Sequence, residues 1–203
     1  MSNNALKLNT SKTEFIIFTT KQDAHKGETL KIGSDTICTS KHIKVLGVTL
    51  DQTMSMEQHI SNTSRSAYMH IRKINSIRHY LTDYAVKTLV QSNVLSRLDY
   101  CNVIYTGLPQ KSIRRLQLTQ NAAVHLATRT SYHEHITPAF ERLHWLPIKK
   151  RCEHKTLMIT YKALHNDAPT YICELLNWYH PSRALRSAST TSLVPSRNRT
   201  VKY

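Results

Sequence analysis

Residues 42–81 read HIKVLGVTLDQTMSMEQHISNTSRSAYMHIRKINSIRHYL, and the spacing of their apolar residues changes partway along. His42 to Leu50 is an apolar, β-branched run of the kind strands prefer, with Gly47 inside it. A glycine within a strand marks a bulge, a close approach of another backbone or a ligand, or simply a tolerant edge. From Ser55 onward the period is 3.6. Ile60, Ala67, Ile71, Ile74, Ile77 and Leu81 then share one side of a long helix, and Arg65, Arg72 and His79 fall opposite, seven residues apart. Ser55-Met56-Glu57-Gln58 fits a capping box at the start of that helix.

Toward the N-terminus the chain stays β-rich. Glu14 to Thr19 is a short apolar and aromatic run that reads as a strand. Thr29-Leu30-Lys31-Ile32 and Asp35-Thr36-Ile37-Cys38 alternate around Gly33-Ser34, the pattern of a hairpin. Toward the C-terminus the pattern is helical. Thr82-Asp83 caps a second helix running to about Leu98, and Pro109 opens a third over Gln110 to Thr128. Thr137-Pro138 and Leu146-Pro147 are two more helix starts, the second leading to about Lys162. After Pro169 a short helix should end near Trp178. Residues 181–203 are rich in Ser, Thr and Arg without apolar periodicity, and read as a basic, poorly ordered tail.

The 203 residues are 40% hydrophobic, which suffices for a modest core and excludes wholesale disorder. Four Gly and six Pro are few for an all-β sandwich, so helices are favoured. Twenty-eight Lys and Arg against thirteen Asp and Glu leave a net charge of +15, which points to a polyanionic partner, nucleic acid ahead of acidic membrane. Cys38, Cys101, Cys152 and Cys173 lie far apart without a C-x-x-C pair, so a reduced, intracellular chain, nuclear or cytoplasmic, is expected. No leader and no long apolar run is present, so no membrane partner is expected.

Several chemistries lack their residues. The acids are scattered and no two Asp are adjacent, leaving no strong candidate pair for two-metal phosphoryl transfer. Nucleotide-cradling glycine loops and the G-x-S-x-G elbow do not occur. His133-Glu134-His135 is the densest metal-like cluster, but without a matching His or Cys pair it reads as a solvated loop, so no metal site is assigned.

Ser96-Arg97-Leu98-Asp99-Tyr100-Cys101-Asn102, followed by Gly107-Leu108-Pro109, resembles the reverse transcriptase of non-LTR (LINE-type, jockey-like) retrotransposons. Gln120-Asn121-Ala122-Ala123, His135-Ile136-Thr137-Pro138, Leu143-His144-Trp145-Leu146-Pro147 and Tyr161-Lys162-Ala163-Leu164-His165 resemble its successive landmarks, as do residues 182–187 and Val194-Pro195. Residues 8–15 and 44–51 are similar to the end of the palm and the primer-grip hairpin. The resemblance runs in order along nearly the whole chain.

The resemblance implies an α+β, mostly α fold. Residues 1–52 would be a small antiparallel palm-edge sheet with a primer-grip-like hairpin, 53–180 a helical thumb and connection, and 181–203 the tail. It also implies that the Asp-Asp box lies upstream of this stretch, so the chain is expected to be a fragment without fingers, most of the palm or catalytic residues. Mg²⁺ would belong to the intact parent enzyme, and no cofactor is expected here. The expected partner is an RNA/DNA template–primer duplex, bound without sequence preference. Lys44, Leu46, Gly47 and Val48 would form the primer-grip-like element. Arg65, Arg72 and Lys73, then Lys111, Arg114 and Arg115, then Lys149, Lys150 and Arg151 would meet phosphates. The last three sit in a helix's first turn, where cations oppose the macrodipole, a cost that favours a functional reason for them. Trp145 reads as a core residue, and Ser96, Asp99 and Tyr100 as a polar lock at a helix end. The rival expectations are a protein-interaction module retained by a host, and a decayed product that does not fold stably.

Overall fold

The computed structural model describes residues 9, 12–20, 28–33, 35–179, 183 and 192–194. Two units make up the chain, residues 1–152 and 153–203. The first is mostly helical and carries two small antiparallel sheets of two strands each.

β1 (Thr29–Ile32) pairs with β2 (Asp35–Cys38), with Ile32 opposite Asp35, as the alternation around Gly33 requires. Ser34 lies outside the described residues. The run at 14–19 does not become a strand. Only Phe15 bridges Thr39, and Thr19 N–H donates to the Gln52 carbonyl at 2.9 Å, so the segment finds no continuous edge to pair with.

The run over 42–50 is two strands rather than one. β3 (His42–Val45) turns back on β4 (Val48–Asp51), with Val45 opposite Val48. Leu46 and Gly47 form the two-residue connection at φ 47° and 86°, both left-handed. Such a turn matches the right-handed twist of the strands it joins. Gly47 therefore supplies backbone conformation at a reversal and is not a bulge inside a strand.

α1 (Glu57–Ser76) follows. Its capping box does not form: Met56 stands at the N-cap in the left-handed region, without a side-chain cap. Asp51 does the work from the end of β4. Its Oδ1 accepts Met56 N–H at 2.9 Å, and its Oδ2 accepts Ser55 N–H at 3.1 Å and the Thr53 hydroxyl at 2.9 Å. Ile60, Ala67, Ile71 and Ile74 are buried as the 3.6 period requires. The helix stops at Ser76, so Ile77 turns to solvent instead of extending that stripe. Just beyond, the buried Arg78 donates to the Leu126 carbonyl (3.2 Å), the Leu81 carbonyl (3.1 Å) and Asp83 (2.5 Å). A single guanidinium thus joins three chain segments.

Thr82 caps α2 (Asp83–Val90), its hydroxyl accepting Ala85 N–H at 3.2 Å. The expected single helix to Leu98 is interrupted by a π-helical segment, Gln91–Leu95, before α3 (Ser96–Asp99). After a 3₁₀ turn at Asn102–Tyr105, Pro109 opens α4 (Gln110–Thr128), whose ends are those read from the sequence. α5 (Thr137–Leu143) and α6 (Ile148–Leu164) start at the two expected positions.

The core is one cluster. Leu116, Ala123 and Val124 of α4 meet Ile60, Ala67 and Ile71 of α1, and Val86, Val90, Val94 and Leu98 complete it with Tyr105, Phe140, Trp145 and Ile148. Val48 and Met56 belong to the same cluster, so the β3–β4 hairpin is packed into the helical core.

In the second unit, α7 (Thr170–Cys173) is only four residues and ends well short of Trp178, which instead makes an antiparallel bridge to Leu193. Of the expected tail, only Arg183 and residues 192–194 are described; the landmarks at 182, 184–187 and 195 lie outside the described residues. Among the described residues, no helix is long and apolar enough to cross a membrane.

Candidate functional site

A groove of about 580 Å³ opens between the β3–β4 hairpin, the first half of α1 and the π segment with α3. The hairpin contributes Lys44, Gly47 and Thr49. His59, Asn62, Thr63 and Ser66 of α1 stand three and four residues apart, the spacing of one helix face. Ser92, Ser96, Arg97 and Tyr100 close the other side. Among the described residues, no carboxylate lines the groove.

The same face of α1 continues to His70 and Lys73. The His70 imidazole is held below its ordinary pKa, first by burial and then by the positive charges of Arg97 and Lys73. Its Nε2 is buried without a hydrogen-bond partner. Two cations, Lys44 and Arg97, therefore accompany a row of hydroxyls from Thr49, Thr63, Ser66, Ser92 and Ser96, and His70, held toward its neutral form, and Lys73 follow along α1. Such a set can accept and neutralise anions, and it lacks the carboxylates that hold divalent metals. Among the described residues, no group of three His, Cys, Asp or Glu is placed to bind a metal.

The walls are rigidly built. Tyr100 donates its hydroxyl to the Leu46 carbonyl at 2.5 Å, pinning the hairpin tip to the end of α3. A Cβ on Gly47 would stand 3.6 Å from Tyr100 Cε1, an ordinary contact, so left-handed φ and not lack of space demands glycine there. Beneath the groove, His59 Nδ1 accepts Thr49 N–H at 3.4 Å and Nε2 meets the Tyr105 hydroxyl at 3.1 Å. Burial lowers the His59 pKa, so the ring is neutral, with Nε2–H as its donor to Tyr105. Burial pushes the Tyr105 phenol up to about 12, against the hydrogen bond it shares with Thr63, so it stays protonated. These groups brace Thr49 and Thr63 at the groove floor.

The structure divides the expected site residues. Of the primer-grip-like set, Lys44 and Gly47 line the groove, Leu46 projects at the tip with 85% of its surface exposed, and Val48 is in the core. Lys73 is exposed beyond the groove on the same face of α1, near enough to His70 to act on its pKa, whereas Arg65 and Arg72 lie exposed on a different side of α1. Lys111, Arg114 and Arg115 are exposed at the start of α4. Lys149 and Lys150 are exposed at the start of α6. Arg151 instead forms a two-pronged ion pair with Asp99, through Nε at 2.6 Å and through its terminal nitrogen. That pair supplies a structural reason for one cation in the first turn of α6. With Asp99 on Arg151, Tyr100 on Leu46 and the Ser96 hydroxyl on the Ser92 carbonyl, the polar lock at the end of α3 is present. Trp145 is buried in the core as read.

Arg97, His70 and the hydroxyls of Ser66, Ser92 and Ser96 were not legible as a site. Arg97 sits in a stretch quoted above only for its resemblance, and the π segment that brings it to the groove has no local signal. Compared with protein-family models, curated proteins and solved structures, the chain gives no match.

Proposed function

We propose that this chain is the primer-grip and thumb portion of a non-LTR retrotransposon reverse transcriptase, and that it binds the backbone of an RNA/DNA template–primer duplex without sequence preference. Its contribution is phosphate binding, and polymerisation would need aspartates that it does not contain. The observation that supports this reading is the groove. Lys44 and Arg97 flank a row of hydroxyls beneath a hairpin whose turn is held by Tyr100, Lys73 follows on the same face of α1, and no carboxylate opposes an anion in the groove among the described residues. Backbone contacts of this kind position a duplex without reading its bases. The +15 charge supplies the long-range attraction.

Anisotropy with a labelled RNA/DNA template–primer, titrated with salt, tests this. Affinity should be on the order of 10⁻⁴–10⁻⁶ M at physiological salt, and its logarithm should fall by several units per decade of salt. Lys44→Ala, Lys73→Ala and Arg97→Ala should each remove about one unit from that slope. A slope unchanged in all three variants, or strong discrimination between unrelated duplexes, would count against the groove. Template–primer extension with Mg²⁺ or Mn²⁺ should yield no product; synthesis by this chain alone would overturn the reading.

A further inference from the structure

On the side of α1 turned away from the groove, two cavities adjoin. The smaller, about 400 Å³, is lined by Tyr68, Arg72 and Asn75 of α1, His125 of α4, and Tyr132. The larger, about 600 Å³, lies between the end of α4 and α5, with Glu134, His135 and Arg142 on its walls. Arg129 and Thr130 line both, so the two share a wall.

Their chemistry is complementary. Tyr132 is 78% exposed, and its ring lies against His125 with centroids 4.7 Å apart at 40°. The His125 Nδ1–H donates to the Thr130 carbonyl at 3.1 Å, which fixes the orientation of the ring. Across the shared wall stand two guanidiniums. Arg129 is the left-handed residue that ends α4, and Arg142 lies 3.4 Å from both the Thr128 carbonyl and the Thr130 hydroxyl. The Glu134 carboxylate accepts Ser131 N–H at 3.2 Å, and Asp83, 3.6 Å from Arg129, is held at 2.5 Å by Arg78. With Arg72 at the smaller cavity, the surroundings stay net positive.

We infer that these cavities hold one unpaired nucleotide of a single-stranded nucleic acid, its base against Tyr132 and His125 and its phosphate between Arg129 and Arg142. An aromatic platform beside a cationic pocket fits a flat ring joined to an anion, and stacking accepts any base. Both cavities are open at the surface, so a strand can enter and leave. The site shares no lining residue with the groove, and its probe is a single strand rather than a duplex. Failure of one reading therefore leaves the other standing.

The test is anisotropy on the full chain with a labelled oligodeoxyadenylate and an abasic strand of equal length. The strand with bases should bind about five- to a hundredfold more tightly. Tyr132→Ala should abolish that difference, Tyr132→Phe should keep it, and Arg129→Gln should weaken both strands alike. Adenosine monophosphate at the oligomer's concentration should not displace it. Equal affinity of the wild type for both strands overturns the proposal and needs no variant to fold. A difference that survives in Tyr132→Ala, or mononucleotide binding as tight as the oligomer's, overturns it too.

Discussion

Asp51 ends β4 and accepts from Thr53, Ser55 and Met56 at the entry to α1. Burial opposes its ionisation, but the donated hydrogen bonds outweigh burial and hold the carboxyl down to about 2. A carboxyl whose pKa falls on folding stabilises the native state above its unfolded pKa, near 3.8, and that contribution is lost as pH falls toward 2. The ionised group is therefore expected to contribute about 2 kcal/mol at neutral pH. Denaturant melts between pH 5 and pH 2 check this: the wild type should lose stability over about pH 4 to 2, and Asp51→Asn should be less stable at pH 7 but show a shallower loss. Parallel acid profiles would mean that Asp51 is not the cap. At the hairpin tip the compromise runs the other way. Leu46 is exposed and left-handed, a conformation costing roughly 1–2 kcal/mol for a residue with a Cβ, and its carbonyl is fastened by Tyr100.

At the scale of elements, α1 is a partition with a different task on each side. Ile60, Ala67, Ile71 and Ile74 meet α4 and the core, one side faces the groove, and Arg65 and Arg72 project outward about 10.5 Å apart along the axis. Ile71→Ala with Ile74→Ala should leave cavities and cost a few kcal/mol. Arg65→Ala with Arg72→Ala should leave folding intact and, since neither lines the groove, lower the salt dependence of duplex binding by less than Lys44→Ala with Arg97→Ala does. Thermal melting and salt-titrated binding on the double variants read these separately. If the arginine pair lowers the melting temperature while the isoleucine pair does not, the faces are assigned the wrong way round. The π segment is the second decisive element. Its wider turn changes the angular register between α2 and α3, and Ser92, Ser96 and Arg97 reach the groove across it.

Over the whole molecule, the +15 charge repels itself in the folded state and attracts polyanions. Salt screens both effects, so raising it should raise the melting temperature while weakening duplex binding. A gain of about 1 kcal/mol would appear as a rise of about 2–4 °C. Thermal scans and anisotropy over one salt series test the pair of trends; a melting temperature that falls with salt would place the dominant electrostatics in attractive pairs such as Asp99–Arg151 instead. The core lies within the first unit and includes Val48 from the hairpin, so hairpin and helices are held by the same buried cluster.

What the sequence determined by itself is what local physics encodes. Pro109 starts α4 because proline suits a helix's opening, Thr82 caps α2 through its own hydroxyl, and the 3.6 period names the buried stripe of α1. The charge that favours a polyanion is likewise a sum over residues. Tertiary structure alone decided which of those charges share a surface. The capping of α1 by Asp51, the pairing of Arg151 with Asp99, and the meeting of Lys44 and Arg97 at one groove depend on contacts between separate elements. Periodicity carries no record of them: it reports which way a side chain faces on its own element, while a site is made by what another element brings opposite.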